Sequence, residues 1–200
     1  MSISTFSELK TALAAWAHRS DLTSQIPDAI TFAEAKFNRR LRVRQMEAAM
    51  AATSISSGLI TRPTGLLAVK AMWNTDSGKT LVEARPLDFV MHAYDSGSDV
   101  AYFYAWDRTF FHFETDTGEV QAVYYASIDA LSDGAPTNWL LTANPDLYLA
   151  AALSELYLLI HEEDRATLWE SKANARIDEM NRQDQRDRFS GQPLAVRVIS

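Results

Sequence analysis

Glycine divides this chain into three stretches. The seven glycines fall at 58, 65, 78, 97, 118, 134 and 191, and none falls in 1–57 or 135–190. Glycine costs conformational entropy inside helices and is common in turns. The chain therefore reads as helical, then turn-rich, then helical, with a short tail. Charge follows the same division. Residues 1–53 hold 7 basic and 5 acidic residues, 54–140 hold 5 and 11, and 141–200 hold 7 and 10, for a net charge of −7.

The two outer stretches carry helical signals. Thr5 and Glu8 have capping-box spacing, and Phe6, Leu9, Leu13 and Trp16 follow on one face. Pro27 and Asp28 suit the first turn of a second helix. Its apolar face is Ile26, Ile30, Ala33, Phe37 and Leu41, and the pattern predicts that it runs to about Met46. Asn144-Pro145-Asp146 has the composition of a helix start: cap, first-position proline, acid in the first turn. The run Leu147–Ile160 that follows is apolar at 12 of 14 positions. It is too short to span a bilayer, so no membrane partner is expected. A helix apolar all round has to be surrounded, centrally or at a subunit contact. The last helix is predicted over 164–188, with a stripe of Trp169, Ala173, Ile177 and Met180 and i,i+4 pairs Asp178–Arg182 and Asp184–Arg188 on its wet side.

Between them the chain reads as strands: Leu66–Trp73, Thr80–Glu83, Ala101–Trp106, Thr109–Glu114 and Glu119–Ala126, aromatic and branched runs bounded by turn residues. Asn74–Gly78 and Thr115–Gly118 read as hairpin turns, and Pro86–Ala93 as a short helix. The fold class is α+β: about four main helices, an inserted small antiparallel β domain and an extended C-terminal arm. The boundaries are 1–47 with 139–188 for the helical body, 48–138 for the insertion and 189–200 for the arm. In the arm, Leu194-Ala-Val-Arg-Val-Ile199 is strand-like with no hairpin partner beside it, and Leu194, Val196 and Val198 share one face.

Little catalytic chemistry is legible. Cysteine is absent, so no disulfide, thiol nucleophile or thiolate metal site exists. Met1 to Phe6 has no basic start and no apolar stretch follows, so no secretory leader is expected. Asp76-Ser-Gly-Lys-Thr80 ends like a phosphate-binding loop, but Trp73 stands where the motif needs glycine and a strand follows instead of a helix. His18, His92, His112 and His161 lack metal-ligand spacing, and His161-Glu-Glu-Asp164 has no second histidine four residues on. Asp95-Ser-Gly-Ser-Asp99 lacks the later ligands of a calcium loop. There is no Gly-x-Ser-x-Gly elbow. No catalytic, cofactor-binding or metal residues are assigned, and no cofactor is expected.

The one basic cluster is Lys36, Arg39, Arg40, Arg42 and Arg44. On a helix, Lys36, Arg40 and Arg44 share a face. Three readings stand open: a solvated face, a contact with acidic groups of a subunit or partner, and phosphate contact. The acidic total disfavours a protein that coats nucleic acid.

Several segments in order carry a resemblance. Phe6-Ser-Glu-Leu-Lys10 opens a helix, His18-Arg-Ser-Asp-Leu22 precedes Ile26-Pro27, and Ala33-Glu-Ala-Lys-Phe-Asn-Arg-Arg-Leu-Arg-Val-Arg44 follows. Later come Tyr124-Tyr125, Leu131-Ser132, Thr137-Asn-Trp-Leu-Leu141 and Asn144-Pro-Asp-Leu-Tyr-Leu149. The ordered set, from about 6 to about 190, resembles the head-to-tail adaptor (connector) proteins of tailed bacteriophages, especially short-tailed ones. That resemblance implies a non-enzymatic virion protein of the neck, assembled in the host cytoplasm. It implies a ring of 12 copies joining the portal protein to a tail or nozzle protein, with genomic DNA passing through the channel without specific binding. Interface residues expected on this reading are Lys36, Arg40, Arg44, Leu153, Leu194, Val196 and Val198, with Arg40 and Arg44 meeting acids of a neighbour or portal. The alternatives are a hydrolase using carboxylates of the β-rich insertion and a DNA-binding regulator using the Lys36–Arg44 helix.

Overall fold

The computed structural model describes residues 3–19, 21–75 and 78–189. The strand-like segment with Leu194, Val196 and Val198, and Asp76 and Ser77 of the first turn, lie outside the described residues. The chain divides into two units, Met1–Gln45 with Ile128–Ser200, and Met46–Ser127. The stretch 128–138, grouped with the insertion on sequence, falls in the first unit: the Ile128 N–H donates to Asn38 Oδ1 (2.9 Å) and the Leu131 N–H to Glu34 Oε1 (2.9 Å).

The first unit is helical. Helix α1 (Phe6–Ala17) starts as its sequence dictates. The Glu8 N–H donates to Thr5 Oγ1 (3.3 Å) and the Glu8 carboxylate accepts from the Thr5 N–H (3.0 Å). Helix α2 (Ile26–Arg40) carries Pro27 in its first turn but stops six residues short of the predicted end. Leu41 turns extended, and Leu41 and Val43 are both buried. Residues two apart lie on opposite sides of a helix but on one side of an extended chain, so burying both requires the helix to end. Helix α3 (Leu87–His92) lies in the second unit; α4 (Trp139–Ala143), α5 (Pro145–Leu159) and α6 (Glu163–Phe189) complete this one. Asn144 closes α4 by donating its backbone N–H to Leu140 O (2.8 Å) and makes no side-chain cap on α5. The side-chain cap falls instead on α4, where Asn138 Oδ1 accepts from the Leu141 N–H (2.8 Å).

Helix α5 is the centre of this unit and packs against α1, α2, α4 and α6. From Leu147 to Ser154 every residue is buried, Leu153 completely. Leu153 is thus covered by its own chain. Exposed apolar surface appears only at the helix end, on Leu158 and Leu159.

The second unit holds two sheets rather than one. Strands β1 (Glu47–Ser54), β7 (Glu119–Ala126) and β3 (Leu66–Asn74) form an antiparallel sheet with β7 central. Strands β2 (Leu59–Thr61), β6 (Phe110–Phe113), β5 (Phe103–Trp106) and β4 (Glu83–Ala84) form the other. The ladders are antiparallel as expected, except that β4 pairs with β5 in parallel over two residues. A parallel neighbour requires a crossover, and α3 (Leu87–His92) supplies it. Within the predicted Thr80–Glu83 strand, Leu81 bridges Trp73 and only Glu83 continues into a ladder. One core joins the sheets, built on Met50, Ile60, Met72, Phe111, Phe113 and Val120.

The segment Thr115–Gly118 is not a hairpin turn, because it carries the chain from β6 in one sheet to β7 in the other. The Thr115 hydroxyl donates to Ser98 O, and the Ile55 N–H donates to Gly118 O (2.8 Å). Gly118 has φ +115°, and a Cβ there would lie 2.5 Å from the Asp99 carbonyl oxygen. Neither backbone can yield. Gly118→Ala is expected to destabilise the second unit by at least roughly 1–3 kcal/mol, the scale of backbone strain at such a position. Gly78→Ala also has positive φ, but nothing described lies within 4 Å of its Cβ, so it loses strain energy alone. Urea unfolding of both variants checks the difference. In the first unit, Leu153→Asp places a charge in an interior with no partner and is expected to abolish soluble folding, read by expression and circular dichroism.

Candidate functional site

The basic cluster is the sequence feature with most claim to a role, and the structure pairs Lys36, Arg40 and Arg44 of it with acids of the same chain. Lys36 and Arg40 lie one turn apart on α2, and Arg44 follows after the extended Leu41–Val43 link. All three reach α6. Lys36 Nζ lies 3.4 Å from Glu170 and 3.1 Å from Glu155 of α5. Arg40 donates to the Asn174 amide oxygen and lies 3.1 Å from Asp178. Arg44 donates through its backbone N–H and its Nε to Asp184 Oδ1 (both 3.0 Å), with Asp187 at 3.3 Å. Asn181 fills the gap: it accepts from the Arg42 N–H (3.1 Å) and donates to Arg40 O (3.0 Å). The extended link thus satisfies its amides on α6 side chains, as α2 could not while helical.

This ladder answers where the acids are. Apart from Glu155 of α5, they sit on α6 of the same chain. Lys36 is mostly covered, while the Arg40 and Arg44 side chains remain 39% and 48% exposed. Exposed pairs contribute little each, so the ladder's strength concentrates at Asp184. Asp184 is buried and also accepts from Arg188 Nε (2.6 Å). This Asp184–Arg188 pair, expected on the wet side of α6, lies on its packed side. Asp178 pairs with Arg40 rather than with Arg182, whose Nε donates to the Asp178 carbonyl (3.1 Å). Burial works to raise the Asp184 pKa, but bonds from the Arg44 N–H and the Arg188 and Arg44 guanidiniums outweigh it and hold it below the usual range.

A second polar group was not legible in the sequence. Glu34 stands on the apolar face of α2 and is buried. Its Oε1 accepts from the Leu131 N–H (2.9 Å) and the Tyr148 hydroxyl (3.2 Å). Asn138 Nδ2 donates to Tyr148 Oη (2.7 Å) and to Asp129 O (2.7 Å). Burial raises the pKa of Glu34, and burial with the neighbouring Glu34 raises that of Tyr148. The available signal was a carboxylate between Ile30 and Phe37 on a face otherwise apolar. The network ties the loop before α4 to α2 and α5 and faces packed side chains, which suits scaffolding rather than proton transfer.

Other candidates resolve into local structure. His112 Nε2 lies 2.8 Å from Asp107 Oδ2. That bond and the Thr109 and Phe110 N–H groups hold the Asp107 carboxyl far below its usual range. Glu114 is buried and accepts from the Tyr102 and Phe103 N–H groups at the start of β5. His161 occupies the turn between α5 and α6 with φ 60°. On either side of Gly78, the Asn74 N–H donates to Thr80 O (2.8 Å), and Trp73 bridges Leu81. Among the described residues no group of three or more His, Cys, Asp or Glu is arranged to hold a metal. No helix of the described residues is long and apolar enough to cross a membrane.

Two outcomes follow for acid and base. Asp184 has a depressed pKa, so its contribution is present above the unfolded carboxylate pKa and is lost as pH falls through the folded one. Asp184→Asn is expected to lower stability at pH 7 by about 1–3 kcal/mol and to flatten the acid limb of the stability profile. Glu34 has a raised pKa, so the opposite holds: its contribution is complete below the unfolded value, 4.5, and is lost as pH rises through the folded one. Glu34→Gln should remove that decline. Denaturant midpoints followed from pH 8 down to about pH 2 measure both.

Comparison with known proteins agrees with the resemblance noted on sequence. A search of curated proteins finds no match. The family model for the SU10 adaptor protein, in contrast, matches residues 4–197, nearly the whole chain and both units. On that match the chain belongs to the SU10 adaptor protein family, a family of bacteriophage structural proteins rather than enzymes.

Proposed function

We propose that the chain forms a ring in the phage neck, joining the portal vertex to the tail and letting DNA pass through its channel. The observation that carries this reading is the family match over residues 4–197. A structural role is also consistent with where the charged groups go. The buried carboxylates Glu34, Glu114 and Asp184 each accept backbone N–H bonds, and so serve the fold. The hydrolase alternative would need free carboxylates in the β unit, and nothing observed there favours it. A regulator that grips DNA through Lys36–Arg44 would need those cations turned outward, whereas they face acids of α6.

In this reading the helical unit is the ring body, in 12 copies, and the β unit meets a tail or nozzle protein. The 189–200 arm docks on the portal protein or a neighbour through Leu194, Val196 and Val198. Leu153 acts from inside the body, by holding α5. Lys36, Arg40 and Arg44 set the position of α6, and the exposed parts of Arg40 and Arg44 remain available to acids of a neighbour. The particle assembles in the host cytoplasm, as in a short-tailed phage. The net charge of −7 keeps a passing phosphate backbone from binding the channel wall.

The test is a mixture of the full chain with purified portal rings, viewed by negative-stain electron microscopy. A ring of added density below the portal is expected. Portal rings that stay bare at micromolar excess of the chain refute the reading. Deleting residues 190–200 is expected to leave thermal unfolding nearly unchanged and to abolish portal attachment. A truncated chain that docks with near-native affinity shows that the arm is not the docking device.

A further inference from the structure

Helix α6 has two faces of different character. The inward one carries Ala166, Ala173, Ile177 and Asp184, all buried. On the opposite side, Asp164, Leu168, Lys172, Ala175, Glu179, Arg182 and Arg186 form one exposed stripe. At about 100° per residue these positions fall within roughly 80° of arc, along about 33 Å of helix. From Leu168 onward their spacing is four, three, four, three, four, the repeat by which one helix lies along another.

The stripe is complementary to itself when reversed about Ala175. Asp164 then stands opposite Arg186 and Leu168 opposite the aliphatic stem of Arg182, while Lys172 falls within one residue of Glu179. Ala175 meets its own copy, and a small residue at that point lets the two backbones approach. Leu168 is 55% exposed, and its burial supplies the apolar part of the contact. Asp164 and Arg186 have no ion-pair partner in their own chain among the described residues. The other charges are only lightly engaged. Glu179 lies 2.8 Å from Arg176 at the surface, and Lys172 lies over the Trp169 ring. Shallow grooves of about 440 and 390 Å³ run beside the stripe and share Ala175 and Glu179.

We propose that two copies of the free chain pair through this outward face of α6, antiparallel, about a two-fold axis at Ala175. The occupant of the face is a second copy because the charge order matches its own reverse, which an unrelated partner would have no reason to do. Such a contact is isologous and closes at two copies. It stores the free chain in a form that does not propagate into rings or fibres. The proposal does not depend on the adaptor reading, which the portal experiment tests separately.

The chain has no cysteine, so an introduced thiol is unique. Ala175→Cys is expected to cross-link to itself with a short bismaleimide. Thr167→Cys and Gln185→Cys chains are expected to cross-link when mixed and not when separate, which distinguishes antiparallel from parallel pairing. Sedimentation velocity of the wild-type chain should show a monomer–dimer equilibrium that weakens several-fold between about 0.05 and 0.5 M salt. Arg186→Glu should weaken it about tenfold, and adding Asp164→Arg to the same chain should restore it. A wild-type chain that stays monomeric at about 100 μM in low salt overturns the proposal. So does cross-linking of Thr167→Cys to itself, or a charge exchange that fails to recover association.

Discussion

Helix α5 has no polar side. A helix of that kind is stable only when neighbours cover its whole circumference, and its burial is the largest apolar contribution available to the first unit. The helices α1, α2, α4 and α6 can be read as the cover it requires. Their own polarity follows from it: α1, α2 and α6 turn apolar residues inward to α5 and carry most of their charges on other faces. The Glu34–Tyr148–Asn138 network is a polar intrusion near the centre. It is tolerated because each polar group in it finds a partner, and an unpaired one there would be costly.

The placement of α6 is a separate matter, decided by charge as much as by apolar contact. Its inward stripe is thin, with alanines where a core helix would carry leucines. The acids Glu170, Asp178, Asp184 and Asp187 take up the difference by meeting Lys36, Arg40 and Arg44. In the first part of that ladder the cations stand on a helix; in the second, Arg44 follows an extended link, and α6 side chains also accept from the Arg42 and Arg44 amides. Most rungs are half-exposed and individually weak. Asp184 is the exception, since burial raises the cost of leaving it unpaired.

The β unit obeys a different constraint. Its central strand β7 comes last in sequence and pairs with β1 and β3, so the three-stranded sheet closes only when the whole insertion has been made. The chain leaves the four-stranded sheet to reach β7 through Thr115–Gly118, where a side chain at Gly118 would strike a carbonyl. Without that passage the two sheets could not share one core.

How much of this was legible in the residues differs from element to element. The capping box of α1, the proline start of α5, the strand Glu119–Ala126 and the α+β class were all readable, because local pattern and local structure agree there. Glycine spacing marked out the turn-rich stretch for the same reason. The all-round apolarity of α5 showed that it must be covered but not by what, and the tertiary structure assigned that role to its own chain. The end of α2 was misread because Leu41 continues the helical apolar pattern. Only the packing of Val43 beside it reveals an extended chain. Thr115–Gly118 has the composition of a hairpin turn, and composition cannot tell whether the next strand pairs with the last or leaves its sheet. The basic cluster was visible, but its partners lie some 130 to 140 residues away on α6. Sequence by itself determined which segments are helical, which are extended and which surfaces are charged, since those depend on neighbours within a few residues. Tertiary structure alone decided which charges neutralise one another and which strands share a sheet, since those depend on distances that folding creates.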